Sequence, residues 1–328
     1  MQSRMFGRTG QKVGEIGFGA WAIGASWGKV DDDDAIAALH AALDSGVTFI
    51  DTADVYGDGR SEKLIARVMK ERAGERPFIA TKAGRRLPQQ TVSGYSYHNL
   101  AGWIERSLTN LNVETLDLVQ LHCPPTDLYY HPEVFESLDR LVREGKIRNY
   151  GVSVERIEEA LKAIEYPGVV SVQIIFNMFR QRPVETFFEI ARERKVAVIA
   201  RVPLASGLLS GKFRADTKFE ESDHRQFNRN GEAFDVGETF SGVPYDVGLN
   251  AVERIRSLLG GDVAMAQFAL RWILMFDAVT VVIPGARNAA QARSNALAAD
   301  LPALSDSAMA QIKAIYDQDI KPHAHQRW

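Results

Sequence analysis

The chain has 328 residues, of which 45% are hydrophobic and 25% charged, with a formal net charge of -3 and a single cysteine, Cys123. Those proportions exclude a disordered chain and an internal disulfide, and the scattered basic residues argue against nucleic acid or an anionic membrane as a partner. With no basic-then-apolar opening and no apolar stretch of about 18 residues, the expected setting is a reducing cytoplasm rather than export or a membrane.

In chain order, "MFGRTGQKV" (5–13) reads as a small hairpin with its turn at "TG", placed to plug the floor of whatever follows. Eight β-rich runs come next: "EIGFGAW", "TFIDTA", "PFIATKA", "DLVQLHC", "IRNYGVSV", "VVSVQIIF", "VAVIARV" and "AVTVVIP". Amphipathic segments separate them. In "DDAIAALHAALDSG", for example, Ile36, Leu39 and Leu43 share one face, with Asp34 as cap and Gly46 as stop. Eight strand–helix units imply a parallel sheet, and eight is the number that closes into a (β/α)8 TIM barrel. The polar, glycine-bearing stretch from Lys212 to Pro244 lacks a period and reads as a lid, mobile until a ligand orders it. Helical patterns resume at "VGLNAVERIRSLL", "VAMAQFALRWILMF" and "DSAMAQIKAIYDQD", supplying extra C-terminal helices. No repeat, low-complexity tract or linker interrupts residues 1–328, which read as a single barrel domain.

Barrel strands are buried on both faces, so polar residues within them are informative. Asp51 ends the second run, Lys82 the third and His122 the fourth, and Tyr56 lies just past Asp51. Alternation puts His122, Gln120 and Leu118 on one face, and Lys82, Ala80 and Phe78 on one face of the preceding strand. If both point inward, three consecutive strands bring an acid, an amine and an imidazole to the carboxyl end, where barrel active sites sit. Taken singly, each residue has a plainer reading: Asp51 as a helix or turn cap, Tyr56 as packing, His122 as a satisfied core residue, Lys82 as a solvated strand end. Together they make a relay in which Lys82 favours the Tyr56 phenolate, Asp51 keeps Lys82 charged, and His122 holds a carbonyl oxygen against the tyrosine hydroxyl. A metal-dependent hydrolase using Asp51, Asp54 and His122 is the competing chemistry, disfavoured by the Lys82 ammonium.

The motifs "DTADVYG", "IATKAG", "DLVQLHCP", "GVS", "PLASGLLSGK" and "IPGARNAAQARSN", in this order, resemble the aldo-keto reductase family over nearly the whole chain. The resemblance implies a barrel that reduces aldehydes and ketones with a nicotinamide cofactor, usually NADPH, and puts the catalytic tetrad on Asp51, Tyr56, Lys82 and His122. It implies nicotinamide contacts at Ser153 and Gln173, with Val154 where an asparagine is common and Arg201 where an aromatic platform is common; a planar guanidinium can stack on a ring. It also implies pyrophosphate contacts at Leu204, Ser206, Leu208 and Lys212, and adenosine contacts at Gly285, Arg287, Gln291 and Asn295, with Arg287 facing the ribose phosphate. Trp21 joins the cofactor contacts and, with Trp27, lies on a loop that could wall the pocket. The expected substrate is a small carbonyl compound or sugar. Relatives of the same fold that act as cofactor-binding regulatory subunits supply the alternative function. His98, His131 and His224 read as solvated loop residues.

Overall fold

A computed structural model describes residues 1–24, 30–72, 74 and 76–328. Trp27 lies outside the described residues.

Strands β1 (Ser3–Met5) and β2 (Lys12–Gly14) pair antiparallel, and Gly10 turns the chain between them in the left-handed region, φ 78°. Eight parallel strands follow, each hydrogen-bonded to the next in chain order: β3 (Phe18–Gly19), β4 (Phe49–Asp51), β5 (Phe78–Ala83), β6 (Leu118–His122), β7 (Tyr150–Ser153), β8 (Val169–Ile175), β9 (Ala197–Arg201) and β10 (Val279–Val282). The two ends of this sheet meet. Gly17 N donates to Val282 O at 2.8 Å and Gly19 N to Pro284 O at 3.0 Å, so the sheet curls round into the expected (β/α)8 barrel.

The hairpin forms the floor. Phe6, fully buried, lies 5.5 Å from the Phe49 ring and 5.0 Å from the Phe78 ring, at the first residues of β4 and β5. Ala80, Leu118, Ile199 and Val281 belong to the same buried cluster. Because Ala80 and Leu118 point inward, Lys82 and Gln120, two residues further along, also point inward at the other end.

Helices α1 (Asp32–Asp44), α2 (Arg60–Glu71), α3 (Tyr97–Leu111), α4 (Pro132–Arg143), α5 (Ile157–Ala163) and α6 (Phe187–Glu193) form the outer layer between the strands. Helix α1 starts earlier than its expected cap. Asp34 is in its first turn beside Asp32 and Asp33, where three carboxylates face the positive helix end.

Between Lys212 and Pro244 the backbone forms only short pieces: α7 (His224–Phe227) and single turns at Val236–Glu238 and Phe240–Gly242. Side chains hold it together. The Arg229 guanidinium lies 5.1 Å from both the Phe240 and Tyr245 rings, and Arg225 lies 4.6 Å from Phe219. Helices α8 (Tyr245–Arg256), α9 (Met265–Leu274), α10 (Ala289–Ala296) and α11 (Asp306–Ile315) complete the described secondary structure used below.

Candidate active site

Strands β4, β5 and β6 are neighbours, so their inward residues meet at the carboxyl end of the barrel. Lys82 is 1% exposed, which an ammonium tolerates only with partners. It has three. Its Nζ donates to Asp51 Oδ1 at 2.5 Å, to Thr52 O at 2.9 Å and to Tyr56 Oη at 3.2 Å. An ammonium carries three protons, so all are used inside the protein. Burial alone would lower the Lys82 pKa, but Asp51 and Tyr56 outweigh it and raise it above the ordinary lysine value.

Asp51 is held from the other side. Its Oδ2 accepts from Gln120 Nε2 at 3.1 Å and from Gln173 Nε2 at 2.7 Å. Gln120 appeared in the sequence only as a residue sharing the face of His122; its role as an Asp51 donor depends on the pairing of β5 with β6, which sets Lys82 opposite Gln120. The Gln173 amide nitrogen also donates to Gln120 Oε1 at 3.2 Å. Both its protons are therefore committed inside the protein, and only its oxygen remains for the carboxamide contact expected of it.

Tyr56 accepts from Lys82, which leaves its own proton free for the cleft. Burial pushes the phenol above its ordinary pKa, and the Lys82 charge pulls it back only in part. The expected acid-strengthening by Lys82 is thus real but outweighed, and Tyr56 stays a protonated donor. His122 lies edge-on, its ring centroid 6.0 Å from that of Tyr56. Burial and then the charges of Arg85, Lys82 and Arg201 hold its pKa well below the usual histidine value, so the ring is neutral. Nδ1 is buried without a hydrogen-bond partner. A proton there would be stranded, which favours the tautomer with N–H on Nε2, able to donate to a ligand oxygen.

A cleft of about 430 Å³ runs from this centre across the barrel mouth. Its lining includes Trp21, Asp51, Tyr56, His122, Ser153, Gln173, Arg201, Leu204, Ser206, Lys212, Gly285, Arg287, Gln291 and Asn295, so most of the expected site residues come together. Lys82 lies beneath the lining. Leu208 does not line the cleft: its side chain is 1% exposed and points into the core, where a methyl added at Gly248 would lie 2.8 Å from it. At the far end, Asn288 caps α10 by accepting from Gln291 N at 3.0 Å, Gln291 Oε1 accepts from Arg287 N at 2.9 Å, and Asn295 Nδ2 donates to Gly285 O at 3.1 Å. These bonds shape the turn that presents Arg287.

At the mouth, several residues have partners that the sequence did not reveal. Arg201, expected as a ring platform, is 7% exposed and held in place: Nη2 lies 2.8 Å from Glu155 Oε2 and donates to Val154 O at 2.9 Å, and Nη1 lies 3.6 Å from Glu238 Oε1. Arg85 donates to the same Glu238 oxygen at 2.7 Å. Burial would raise the Glu238 pKa, but the Arg85 and Arg201 charges hold it below the usual carboxylate range. His224, expected to be solvated, is fully buried with its ring 4.8 Å from Trp21, because the segment from Lys212 to Pro244 packs against that tryptophan. The left-handed non-glycine residues Cys123, Val202, Ala205, Ser206, Phe240 and Ser241 cluster here too, a backbone strain of the kind found at functional sites.

The metal reading finds no support in this geometry. Among the described residues, the group that could converge on an ion is Cys123, Glu155 and Glu238, not Asp51, Asp54 and His122, and its carboxylates are already held by arginines.

Residues 15–317 match the model of the aldo/keto reductase family. An aldo-keto reductase of Bacillus subtilis is 30% identical over 287 residues, covering 86% of this chain and 84% of the relative. A protein of Arabidopsis thaliana named as a probable voltage-gated potassium channel subunit beta is 27% identical, covering 96% of both. Among solved structures, the holo form of an aldo-keto reductase from Bacillus halodurans superimposes with a TM-score of 0.76 at 25% identity, covering 96% of both chains. One from Klebsiella pneumoniae in complex with NADPH gives 0.69 at 23% identity over 96% of each, a likeness of fold. The family match runs over almost the entire chain, and the protein belongs to the aldo/keto reductase family.

Proposed function

We propose that this protein reduces an aldehyde or ketone to an alcohol, or runs the reverse reaction, with NADPH as the hydride source and Tyr56 as the proton donor. One observation carries the reading: Lys82 spends its three protons on Asp51, Thr52 and Tyr56, so the phenol accepts from the ammonium and directs its own proton at the cleft. Held by these residues, such a cofactor would supply the hydride that the carbonyl carbon takes up. As negative charge grows on the carbonyl oxygen, Tyr56 gives that oxygen its proton and the Lys82 charge stabilises the phenolate left behind. Neutral His122 donates from Nε2 to the same oxygen and orients it. Asp51, fixed by Gln120 and Gln173, keeps Lys82 charged and in place.

The lining fits such a cofactor. Ser153 and the Gln173 oxygen lie beside the tetrad, where a carboxamide would bind. Lys212 and Arg287 put cations along the path; Arg225, absent from the sequence reading, also lines it and is paired with Asp223. Arg287 beside the start of α10 suits the ribose phosphate of NADPH. The single cysteine favours a reducing cytoplasm.

A second reading, a cofactor-binding regulatory subunit, is motivated by the relatives named as channel subunits. The assembled tetrad favours the enzyme. A turnover screen over aldehydes, ketones and sugars with NADPH and NADH tests the choice: steady oxidation of either cofactor supports the reductase, and binding without turnover across the screen supports the subunit.

A further inference from the structure

Glu238 is carried by the lid, yet it is 4% exposed and bonded to Arg85 and Arg201 at the barrel mouth. Arg201 in turn donates to Val154 O at 2.9 Å and lies 3.7 Å from Cys123 Sγ. Those two residues directly follow Ser153 and His122. The position of Glu238 therefore bears on the backbone that sets both a proposed cofactor contact and the proposed carbonyl-orienting imidazole.

What holds Glu238 is visible on both sides of its turn. On the barrel side, Ser206 Oγ donates to Glu238 O at 2.9 Å and accepts from Phe240 N at 3.1 Å. On the outer side stands Trp328, 4% exposed. Its indole lies against two glycines that bracket Glu238: a methyl at Gly242 would sit 2.2 Å from the ring and one at Gly237 2.8 Å from it. The indole Nε1 donates to Asp235 Oδ1 at 2.8 Å, the same oxygen that accepts from Gly237 N at 2.7 Å. The Arg180 guanidinium stacks on the indole at 4.0 Å, and Arg182 donates to the Trp328 carbonyl. The turn Asp235–Gly242 is thus gripped between the barrel mouth and one tryptophan.

We propose that Trp328 is a positioning residue for the active site, acting through Glu238: it clamps the turn that presents Glu238, and Glu238 keeps Arg201 and Arg85 beside His122 and Ser153. The inference rests on the proposed reductase function for its kinetic arm and on geometry alone for its structural arm. A clamp of this kind places no atom on the substrate. Its loss loosens the reactive geometry and lowers turnover, while the tetrad itself is unaltered.

The test uses the full chain carrying Trp328→Ala, Glu238→Gln and both together, with Asp235→Ala as a second way to release the indole should Trp328→Ala fail to fold. Two quantities are read: kcat/KM for an aldehyde with NADPH, and the rate at which trypsin cuts between residues 212 and 244 in the protein without cofactor. Each single variant is expected to lose on the order of tenfold in kcat/KM. The double variant is expected to lose no more than the worse single one, because the two residues act in series. Release of the indole by Trp328→Ala or Asp235→Ala is expected to speed cleavage severalfold, and Trp328→Phe, which keeps a ring against the glycines, to restore most of both properties. Losses that multiply in the double variant, or faster cleavage with unchanged kcat/KM, overturn the positioning role. If the wild type turns over no carbonyl compound, the reductase reading fails on its own, and unchanged cleavage in the indole-release variants still overturns the clamp.

Discussion

The Lys82 ammonium sits 3.2 Å from the Tyr56 hydroxyl and 4.9 Å from the centre of its ring, so the cation is closer to the phenol oxygen than to the ring. That placement stabilises charge on the oxygen once its proton has left. Tyr56→Phe keeps the ring against Trp21 and removes the donor. It should reduce carbonyl turnover by on the order of 10²- to 10⁴-fold while NADPH still binds. Lys82→Met should act similarly and leave Asp51 unpaired. Near-normal rates in Tyr56→Phe, measured beside a cofactor titration, would sink the mechanism.

The cofactor preference is tested at Arg287. NADPH differs from NADH by a ribose phosphate, and Arg287 is presented on a turn shaped by Gln291 and Asn288 at the start of α10. Arg287→Ala should weaken NADPH by about 1.5 to 3 kcal/mol, the range for hydrogen bonds to charged groups, and change NADH little. Titration of both cofactors into wild type and variant decides it: equal losses would make Arg287 structural, and a wild-type preference for NADH would overturn the assignment.

Asp54 gives a pH dependence unrelated to catalysis. It is fully buried, and neither carboxyl oxygen has a hydrogen-bond partner. Burial, helped by the nearby Glu62 charge and opposed by Arg86 and Arg106, pushes its pKa up to about 7. A carboxyl raised in the folded state contributes stability that is complete below its unfolded value of about 3.9 and is lost as pH rises through about 7. Asp54→Asn cannot ionise, so its stability relative to wild type should improve between pH 4 and 7 by on the order of 3 kcal/mol and stay level above. Parallel denaturation curves across that interval would show that Asp54 does not titrate there.

The segment from Lys212 to Pro244 contributes Lys212, Phe213, Arg225 and Glu238 to the cleft lining. Cofactor bound beneath it should order it further and slow its own release. Trypsin is expected to cut this segment faster without NADPH than with it. Equal rates would mean that it is a fixed wall and not a lid.

The eight strands, the barrel they imply and the meeting of Asp51, Lys82 and His122 at one end of it were legible in the sequence because each depends on local pattern: apolar runs of strand length, two-residue alternation and a polar residue at a strand end. The hairpin before the first barrel strand was legible from its turn residues, Thr9 and Gly10. Tertiary structure alone decided what surrounds that centre. Gln120 and Gln173 converge on Asp51 through sheet register. Leu208 turns into the core, although its motif suggested a cofactor contact. Arg85 meets Glu238 across 153 positions of sequence, His224 is buried against Trp21, and Trp328 grips a turn more than eighty residues before it. Those contacts join aperiodic segments to distant strands, and a segment with no repeating face carries no local signal of what it will pack against. Only closure of the barrel brings its charges within reach of their partners.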